Sequence, residues 1–295
     1  MKDKLVIGSA NFGLEYGIAN KRKLDKAEVF EILEFGHSQG LWGIDTAKVY
    51  GDSEKVIGDF FAGHGKIFNV ITKLPNKEYI SAKDVEQEII DSLKNLNITH
   101  IDFLLLHSYE SYKLYGQTII PVLQSLHNQN VIGHFGVSVY HPEEVENILR
   151  EVKDSIAIEF PINLFDQRFL KHNFLQRVKD CGHYLFARSI FLQGLFFLDE
   201  EKLNGKFVAV RDKINKIKKI SFENLIRAEC IAILFVITNP WIDKVIIGVD
   251  SKKHLMVNIQ CISKENQDKY APLSAFLSEL EVFEEDIIFP FKWTG

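Results

Sequence analysis

Four residues whose side chains suit proton transfer occur in three segments of the first 107 residues. Asp45 and Tyr50 share the segment Asp45-Thr46-Ala47-Lys48-Val49-Tyr50-Gly51, Lys73 follows Ile71-Thr72, and His107 follows three leucines. A phenol titrates near pH 10, so Tyr50 needs a nearby cation such as Lys73 to act as an acid near neutrality. Asp45 would keep Lys73 charged and oriented, and His107 would hydrogen-bond a reacting oxygen. The set predicts a metal-free acid-catalysis site, because no metal-ligand cluster accompanies it.

The elements that must position these residues follow an alternation of short apolar runs and longer amphipathic stretches, which is typical of βα units. Each of these four residues lies at or just after the end of an apolar run. In a closed barrel of parallel strands, these ends form one mouth. The pattern predicts a (β/α)8 TIM barrel. Its strands are expected at Leu5–Gly8, Trp42–Asp45, Asn69–Lys73, Ile101–His107, His134–Val139, Ala157–Pro161, Tyr184–Arg188 and Val245–Val249.

The helical stretches include Asp25–Gln39, Ser81–Leu96 and Phe222–Thr238. Before the last of these, residues 192–219 form a long loop after strand seven in which we expect an extra helix, and its lysines 213–219 are expected on a solvated face. The aromatic C-terminal tail, residues 281–295, is expected to fold over the barrel. We expect one domain over residues 1–295, since such barrels commonly exceed 200 residues.

A doubly wound open sheet is the alternative fold for this alternation. It would carry GxGxxG after its first strand, but the segment there reads Gly8-Ser9-Ala10-Asn11-Phe12-Gly13. The pattern GxxxxGK[ST] of a phosphate-binding loop is also absent from the sequence. The barrel is therefore favoured.

The overall composition points to small-molecule chemistry. A net charge of −5 provides no positive field for nucleic acid or an anionic membrane. No apolar run has the length of a signal peptide core or of a membrane span, so we expect a cytoplasmic protein. The three cysteines are widely spaced and indicate a reducing compartment.

The motifs that surround the four residues resemble those of the aldo-keto reductase family. Gly43-Ile44-Asp45-Thr46-Ala47, Tyr50-Gly51, Ser53-Glu54 and Ile57-Gly58 resemble its signature. Later segments match in order and spacing: Ile71-Thr72-Lys73, Leu104 to His107, Gly136-Val137-Ser138 and Pro161-Ile162-Asn163. The resemblance spans nearly the whole chain. It implies a (β/α)8 barrel, hydride transfer with a nicotinamide cofactor, and the tetrad Asp45, Tyr50, Lys73 and His107.

Departures from the family pattern concern the cofactor. Ser138 matches the serine that binds the nicotinamide carboxamide, but the asparagine that often follows is Val139. The usual glutamine on strand six is Glu159, and the aromatic residue after strand seven is Arg188. Because neighbouring strand ends lie about 5 Å apart, we expect Glu159 and Arg188 to pair, with the guanidinium stacked on the nicotinamide.

The segment after strand eight resembles the family's dinucleotide phosphate site. Gly248 and Ser251 suit phosphate at a helix N-terminus, and the candidate contacts continue with Lys252, His254 and Asn258. Gly248 and His254 replace the basic residues that many relatives direct at the 2′-phosphate, while Lys252 and Lys253 lie between them. NADP(H) is therefore expected over NAD(H), with a solvated helical turn as the alternative role of the lysines.

Two functional hypotheses remain open at this stage. The first is an NADP(H)-dependent oxidoreductase that reduces aldehydes or ketones, or oxidises alcohols or sugars. The second is a cofactor-sensing subunit with little turnover, which would explain the changed cofactor residues but not the complete tetrad. A metal or Schiff-base enzyme is a third hypothesis, and Lys73 is the one residue that supports it. Candidate substrate walls are Phe12, Tyr16, Tyr109 and Trp293.

Overall fold

The structure is a computed structural model that describes residues 1–18 and 21–293. Within this part of the chain, eight parallel strands close into a barrel in which each strand pairs with the next and β8 pairs with β1. This confirms the predicted (β/α)8 TIM barrel. The strands are β1 (Leu5–Gly8), β2 (Gly43–Asp45), β3 (Asn69–Leu74), β4 (Ile101–Leu106), β5 (Ile132–Ser138), β6 (Ala157–Pro161), β7 (Tyr184–Arg188) and β8 (Lys244–Gly248).

The lower part of the barrel interior is an apolar plug. Successive side chains of a strand point alternately to the inside and the outside of the barrel, so every second residue faces the barrel axis. The interior cluster consists of Val6, Ile71, Phe103, Leu105, Ala157, Phe186 and Ile246, all nearly inaccessible to solvent. The aromatic rings of Phe103 and Phe186 meet edge to face at 4.9 Å between centroids. This plug closes the lower end, and the mouth lies at the carboxyl ends of the strands.

Helices cover the outside of the barrel. Asp25 starts one of them through a capping box with Glu28, and the left-handed backbone of Asn97 ends another. The helices of the described residues are α1 (Ala10–Gly13), α2 (Lys26–Ser38), α3 (Ser53–His64), α4 (Ala82–Leu96), α5 (Tyr109–Asn128), α6 (Pro142–Glu151), α7 (Phe174–Asp180), α8 (Arg211–Glu223), α9 (Ala228–Ile237), α10 (Lys252–Cys261), α11 (Lys264–Tyr270) and α12 (Glu285–Ile288).

The connection after β7 contains the predicted long loop and the extra helix α8. The predicted helix Phe222–Thr238 was wrong at its start, because Leu225 has φ of 51° and breaks the helix before α9. Lysines of the basic run bind residues of other segments instead of facing only solvent. Lys213 donates to the carbonyls of Glu279 and Glu281, for example.

The aromatic tail packs onto the barrel as expected. The guanidinium of Arg168 lies 4.6 Å from the Phe289 ring centroid, and Phe289 meets Tyr140 edge to face. Trp293 packs on Phe207. The last two residues, 294 and 295, lie outside the described residues.

Two cysteines depart from the expectation of a reducing compartment. Cys230 in α9 and Cys261 at the end of α10 form a disulfide, while Cys181 is a free, exposed thiol. Their separation of 31 residues carries no pairing signal in the sequence. The pair forms because barrel closure packs α9 against α10. In the described residues, we find no helix with the length and apolarity to cross a membrane.

Candidate active site

The mouth of the barrel begins one inward-facing position above the apolar plug. Lys73 lies two residues after Ile71, and Glu159 lies two residues after Ala157. The same step along β4 and β7 leads from Leu105 to His107 and from Phe186 to Arg188. Because every second residue of a strand faces the barrel axis, a layer of ionisable side chains lies directly above the apolar layer.

Lys73 is the centre of this layer, and its side chain is fully buried. Its Nζ donates to the Asp45 carboxylate and, at 3.2 Å, to the Thr46 carbonyl. A second carboxylate oxygen, Oε2 of Glu159, lies 3.2 Å from the same Nζ. One ammonium group thus has two carboxylate partners, whereas the sequence analysis assigned it only Asp45.

Tyr50 is held beside Lys73 by a close approach between its loop and the end of α1. A Cβ on Gly13 would lie 1.7 Å from the Tyr50 carbonyl oxygen, and Gly51 adopts φ of 60° against the Gly13 backbone. Only glycine tolerates both conditions. Lys73 Nζ lies 5.7 Å from the Tyr50 ring centroid, and the His107 ring meets that ring edge to face at 5.8 Å. The structure therefore brings together all four residues proposed from the sequence.

Burial and charge shift the pKa values of these groups in different directions. Burial raises the pKa of Tyr50 well above its ordinary value, and the Lys73 ammonium only partly opposes that shift. Burial would lower the pKa of Lys73, but Asp45 and Glu159 outweigh it and raise the pKa. Burial lowers the pKa of His107 to about 4. Tyr50 and Lys73 therefore hold their protons at neutral pH, and His107 is uncharged.

The two carboxylates respond differently to the same cation. Burial raises the pKa of Asp45 to about 7, with Lys73 acting against the shift and Glu159 adding to it. Burial would also raise the pKa of Glu159, but Lys73 and Arg188 outweigh it and lower the pKa. Glu159 is therefore an ionised member of the layer.

Glu159 and Arg188 make the contact that the sequence predicted. Arg188 Nε lies 3.3 Å from Glu159 Oε1, and the Ser138 hydroxyl donates to that same oxygen at 3.0 Å. The guanidinium also donates to the Val139 carbonyl at 3.1 Å and stacks over the Tyr140 ring at 4.3 Å. One face of the guanidinium is thus covered by Tyr140.

A groove of about 370 Å³ leads from this layer across the mouth to α10. Asp45, Tyr50 and Arg188 line one end, and Asn258 lines the other. The loop after β7 forms much of its wall, through Ser189, Ile190, Phe191, Leu192, Gln193, Gly194 and Phe197. A largely apolar groove with a few polar and charged side chains is typical of a small-molecule or cofactor site.

Comparison with known proteins agrees with this geometry. The sequence model of the Aldo/keto reductase family matches residues 4–272. The chain belongs to this family. The chain is 27% identical, over 97% of its length and 78% of the relative's, to norsolorinic acid reductase B of Dothistroma septosporum (strain NZE10 / CBS 128990). It is 28% identical to D-arabinose 1-dehydrogenase of Saccharomyces cerevisiae (strain ATCC 204508 / S288c), over 46% of its length and 42% of the relative's.

Solved structures of the family share the fold of this aldo/keto reductase. The aldo-keto reductase AKR11C1 from Bacillus halodurans (holo form) superposes with a TM-score of 0.75 at 18% identity, over 96% of this chain and 94% of that one. The glycerol dehydrogenase AKR11B4 from Gluconobacter oxydans gives 0.74 at 19% identity, over 97% and 92%. Family membership makes the chain a carbonyl/alcohol oxidoreductase.

The cofactor residues proposed for this aldo/keto reductase fall into three groups. Arg188, Gly248, His254 and Asn258 line the groove. Ser138 and Glu159 are buried and contact Arg188. Ser251 and Lys252 face a separate surface groove beside α2, where Ser251 also caps α10 through the His254 N–H. Among the described residues, no group of three or more metal-ligand side chains is assembled.

Several residues of this aldo/keto reductase site were not predicted from the sequence. Asn11 binds the Val249 carbonyl at 2.7 Å and Asp250 at 3.2 Å, and Glu229 reaches the groove from α9. Among these features, only the contact of Glu159 with Lys73 could have been predicted from the sequence, because the two-residue period of a strand places Glu159 inside the barrel. Of the candidate walls, Tyr16 lines the groove. The other three pack elsewhere: Phe12 in the core, Tyr109 on Tyr112, and Trp293 on Phe207.

Proposed function

We propose that this aldo/keto reductase is a nicotinamide-dependent oxidoreductase in which Tyr50 exchanges the proton with the substrate oxygen. The observation that carries the proposal is the Tyr50 ring 5.7 Å from the buried Lys73 ammonium, at the end of a groove that leads to α10. A structural salt bridge between Asp45 and Lys73 would have no need of a phenol and an imidazole beside it.

The side chains that line the groove suit a dinucleotide. Gly248 leaves open space at the β8 end, where an added Cβ would meet no atom within 4 Å, and the buried Asn258 supplies amide groups at α10. At the other end, the Arg188 guanidinium lines the groove beside Tyr50. When bound, a reduced nicotinamide would supply the hydride for a carbonyl substrate.

The residues of the chain manage the proton. The Tyr50 hydroxyl donates to the substrate oxygen, and the Lys73 ammonium stabilises the charge that develops on the phenol. Asp45 fixes the ammonium through its hydrogen bond. His107 is neutral, so one ring nitrogen can donate to the same oxygen while the other remains an acceptor. Reversal of the proton step would serve alcohol oxidation.

The proposed substrate is a small carbonyl compound, or the matching alcohol or sugar. It is supported by relatives named as a norsolorinic acid reductase, an arabinose dehydrogenase and a glycerol dehydrogenase. A single domain over residues 1–295 and a cytoplasmic location remain predictions. The expected preference for NADP(H) rests on Lys252 and Lys253, and both face the surface groove beside α2.

Tyr50→Phe tests the proton role. Turnover with aldehydes, ketoses and aldoses should fall by at least about 100-fold, since general acid catalysis contributes that much. Dinucleotide affinity should stay near wild type, because the phenol hydroxyl serves the substrate oxygen. Tyr184→Phe, at the lower end of β7, is the matched control and should leave turnover unchanged. Undiminished turnover in Tyr50→Phe would refute the assignment. Tight dinucleotide binding by the wild type without turnover would support the sensor hypothesis.

A double-mutant cycle tests the proposal that Arg188 and Glu159 serve the cofactor as a unit. Arg188→Ala should weaken dinucleotide affinity, because the exposed face of the guanidinium would cover the nicotinamide. Glu159→Gln should change affinity less once Arg188 is absent, since it acts partly by aligning Arg188. Calorimetric affinities that add independently would contradict this coupling.

A further inference from the structure

The α10 end of the groove carries an unusual charge distribution. Glu229 from α9 and Asp250 from the loop after β8 line it, together with His254. Among the described residues that line the groove, no lysine is found, and the arginine is Arg188 beside Tyr50. The end of the groove that lies away from Tyr50 is therefore acidic.

His254 cannot supply much positive charge there. Its Nδ1 lies 3.6 Å from Asp250 Oδ2. The contact with Asp250 and the charge of Glu229 raise the pKa of His254, so any proton that it carries faces two carboxylates. Even with His254 protonated, the three groups sum to a charge of about −1.

The nearby lysines are directed elsewhere. Lys252 and Lys253 line the surface groove next to Glu28 and Glu31, and the Lys252 ammonium lies 5.9 Å from the Phe35 ring centroid. Arg22 donates to Glu28 and to the Asp250 backbone carbonyl, both at 2.8 Å. These cations are therefore engaged outside the groove.

The orientation of a dinucleotide follows from the chemistry proposed above. The hydride and the Tyr50 proton must reach the same carbonyl group, so the nicotinamide half occupies the Tyr50 end. The adenosine half then extends toward Glu229, Asp250 and His254. A 2′-phosphate monoester carries a charge of about −1.5 to −2 and would meet carboxylates there, whereas a 2′-hydroxyl can donate to them.

We propose that Glu229 and Asp250 make this enzyme select a nicotinamide dinucleotide with a free 2′-hydroxyl, NAD(H), over its 2′-phosphorylated form. The proposal rests on the proposed function, and it reverses the cofactor preference expected from the sequence. Glu229 acts as the hydrogen-bond acceptor for the ribose, and Asp250 adds the second negative charge that outweighs a protonated His254.

Isothermal titration of the purified protein with NADH and with NADPH tests the selection without turnover. We expect NADH to bind at least tenfold more tightly. Glu229→Gln should lower the ratio of the NADPH to the NADH dissociation constant at least threefold. The variant should bind NADPH more tightly, because the repulsion of the 2′-phosphate is removed, and NADH less tightly, because the charged acceptor of the ribose hydroxyl is removed. Asp250→Asn should lower the ratio further, because it removes the second carboxylate from that end of the groove.

Glu86→Gln is the matched control, since it removes the same charge from an exposed position on α4, remote from the groove. It should leave both dissociation constants unchanged. Equal or tighter binding of NADPH by the wild type would overturn the proposal, as would an unchanged ratio in Glu229→Gln with wild-type folding by circular dichroism. Binding of neither dinucleotide would refute the proposed function and this inference with it.

Discussion

Lys73→Met tests the contribution of the buried charge cluster at the barrel mouth to stability. Methionine has a similar length but no charge, so Asp45 and Glu159 would lose the ammonium that both contact. Removing one member of a buried ion pair typically costs 3 to 5 kcal/mol, and about that loss in the free energy of unfolding is expected at pH 8. Urea unfolding followed by circular dichroism measures it.

The loss in the free energy of unfolding should be smaller at pH 5.5 than at pH 8, because the protonation of Asp45 changes between these values. Burial already raises its folded-state pKa to about 7, and loss of Lys73, which opposes that shift, raises it further. The folded variant therefore holds a proton that the unfolded chain releases above about pH 4, so its stability falls as pH rises.

Two further variants test this reasoning. Adding Asp45→Asn to Lys73→Met should recover at least about half of the lost stability, since one unpaired carboxylate is gone. Lys26→Met, which breaks an exposed pair with Asp59 at 2.7 Å, should cost under about 1 kcal/mol. A Lys73→Met loss no larger than that of Lys26→Met, or one independent of pH, would refute the account of the cluster.

Three other predictions concern the supports of the site. Gly13→Ala should lower kcat about 100-fold with the fold intact by circular dichroism, because its Cβ would displace the Tyr50 backbone; wild-type kcat would contradict it. Replacing both Cys230 and Cys261 by serine should lower the free energy of unfolding in urea by about 3 to 4 kcal/mol, given their 31-residue separation; two free thiols at these positions in a titration of the native protein would contradict the disulfide. Substrate KM should show no His107 inflection between pH 5.5 and 8, since burial lowers the pKa of His107 to about 4.

The fold was predictable because the strand signals are local. An almost wholly apolar run of about five residues marks each barrel strand, and the largest difference in a strand bound is the start of β5 at Ile132 instead of His134. The boundary between α8 and α9 was not predictable, since the left-handed conformation of Leu225 is imposed by tertiary packing and not by its residue type.

The site was predictable where its residues close consecutive strands and not where distant segments converge. Asp45, Lys73 and His107 follow from their positions at the mouth. Glu229 lies on a helix that follows the long connection after β7, and no local pattern places that helix beside the loop after β8. The disulfide between α9 and α10 was missed for the same reason.

The charges of the mouth explain why Glu159 and Arg188 occur together. Asp45 and Lys73 form a neutral pair by themselves, so a lone second carboxylate at position 159 would add an uncompensated buried charge. Arg188 compensates it through a contact of 3.3 Å and is held in place by Ser189 and Val139. Above the pKa of Asp45, the cluster then sums to zero with two cations and two anions. The Lys73 ammonium shares its charge between two carboxylates, and it stabilises a Tyr50 phenolate less than it would with one. If Tyr50 is the acid, the arrangement that satisfies the buried charges therefore keeps the phenol protonated at neutral pH and makes it a weaker acid than it would be beside a lysine with one carboxylate partner.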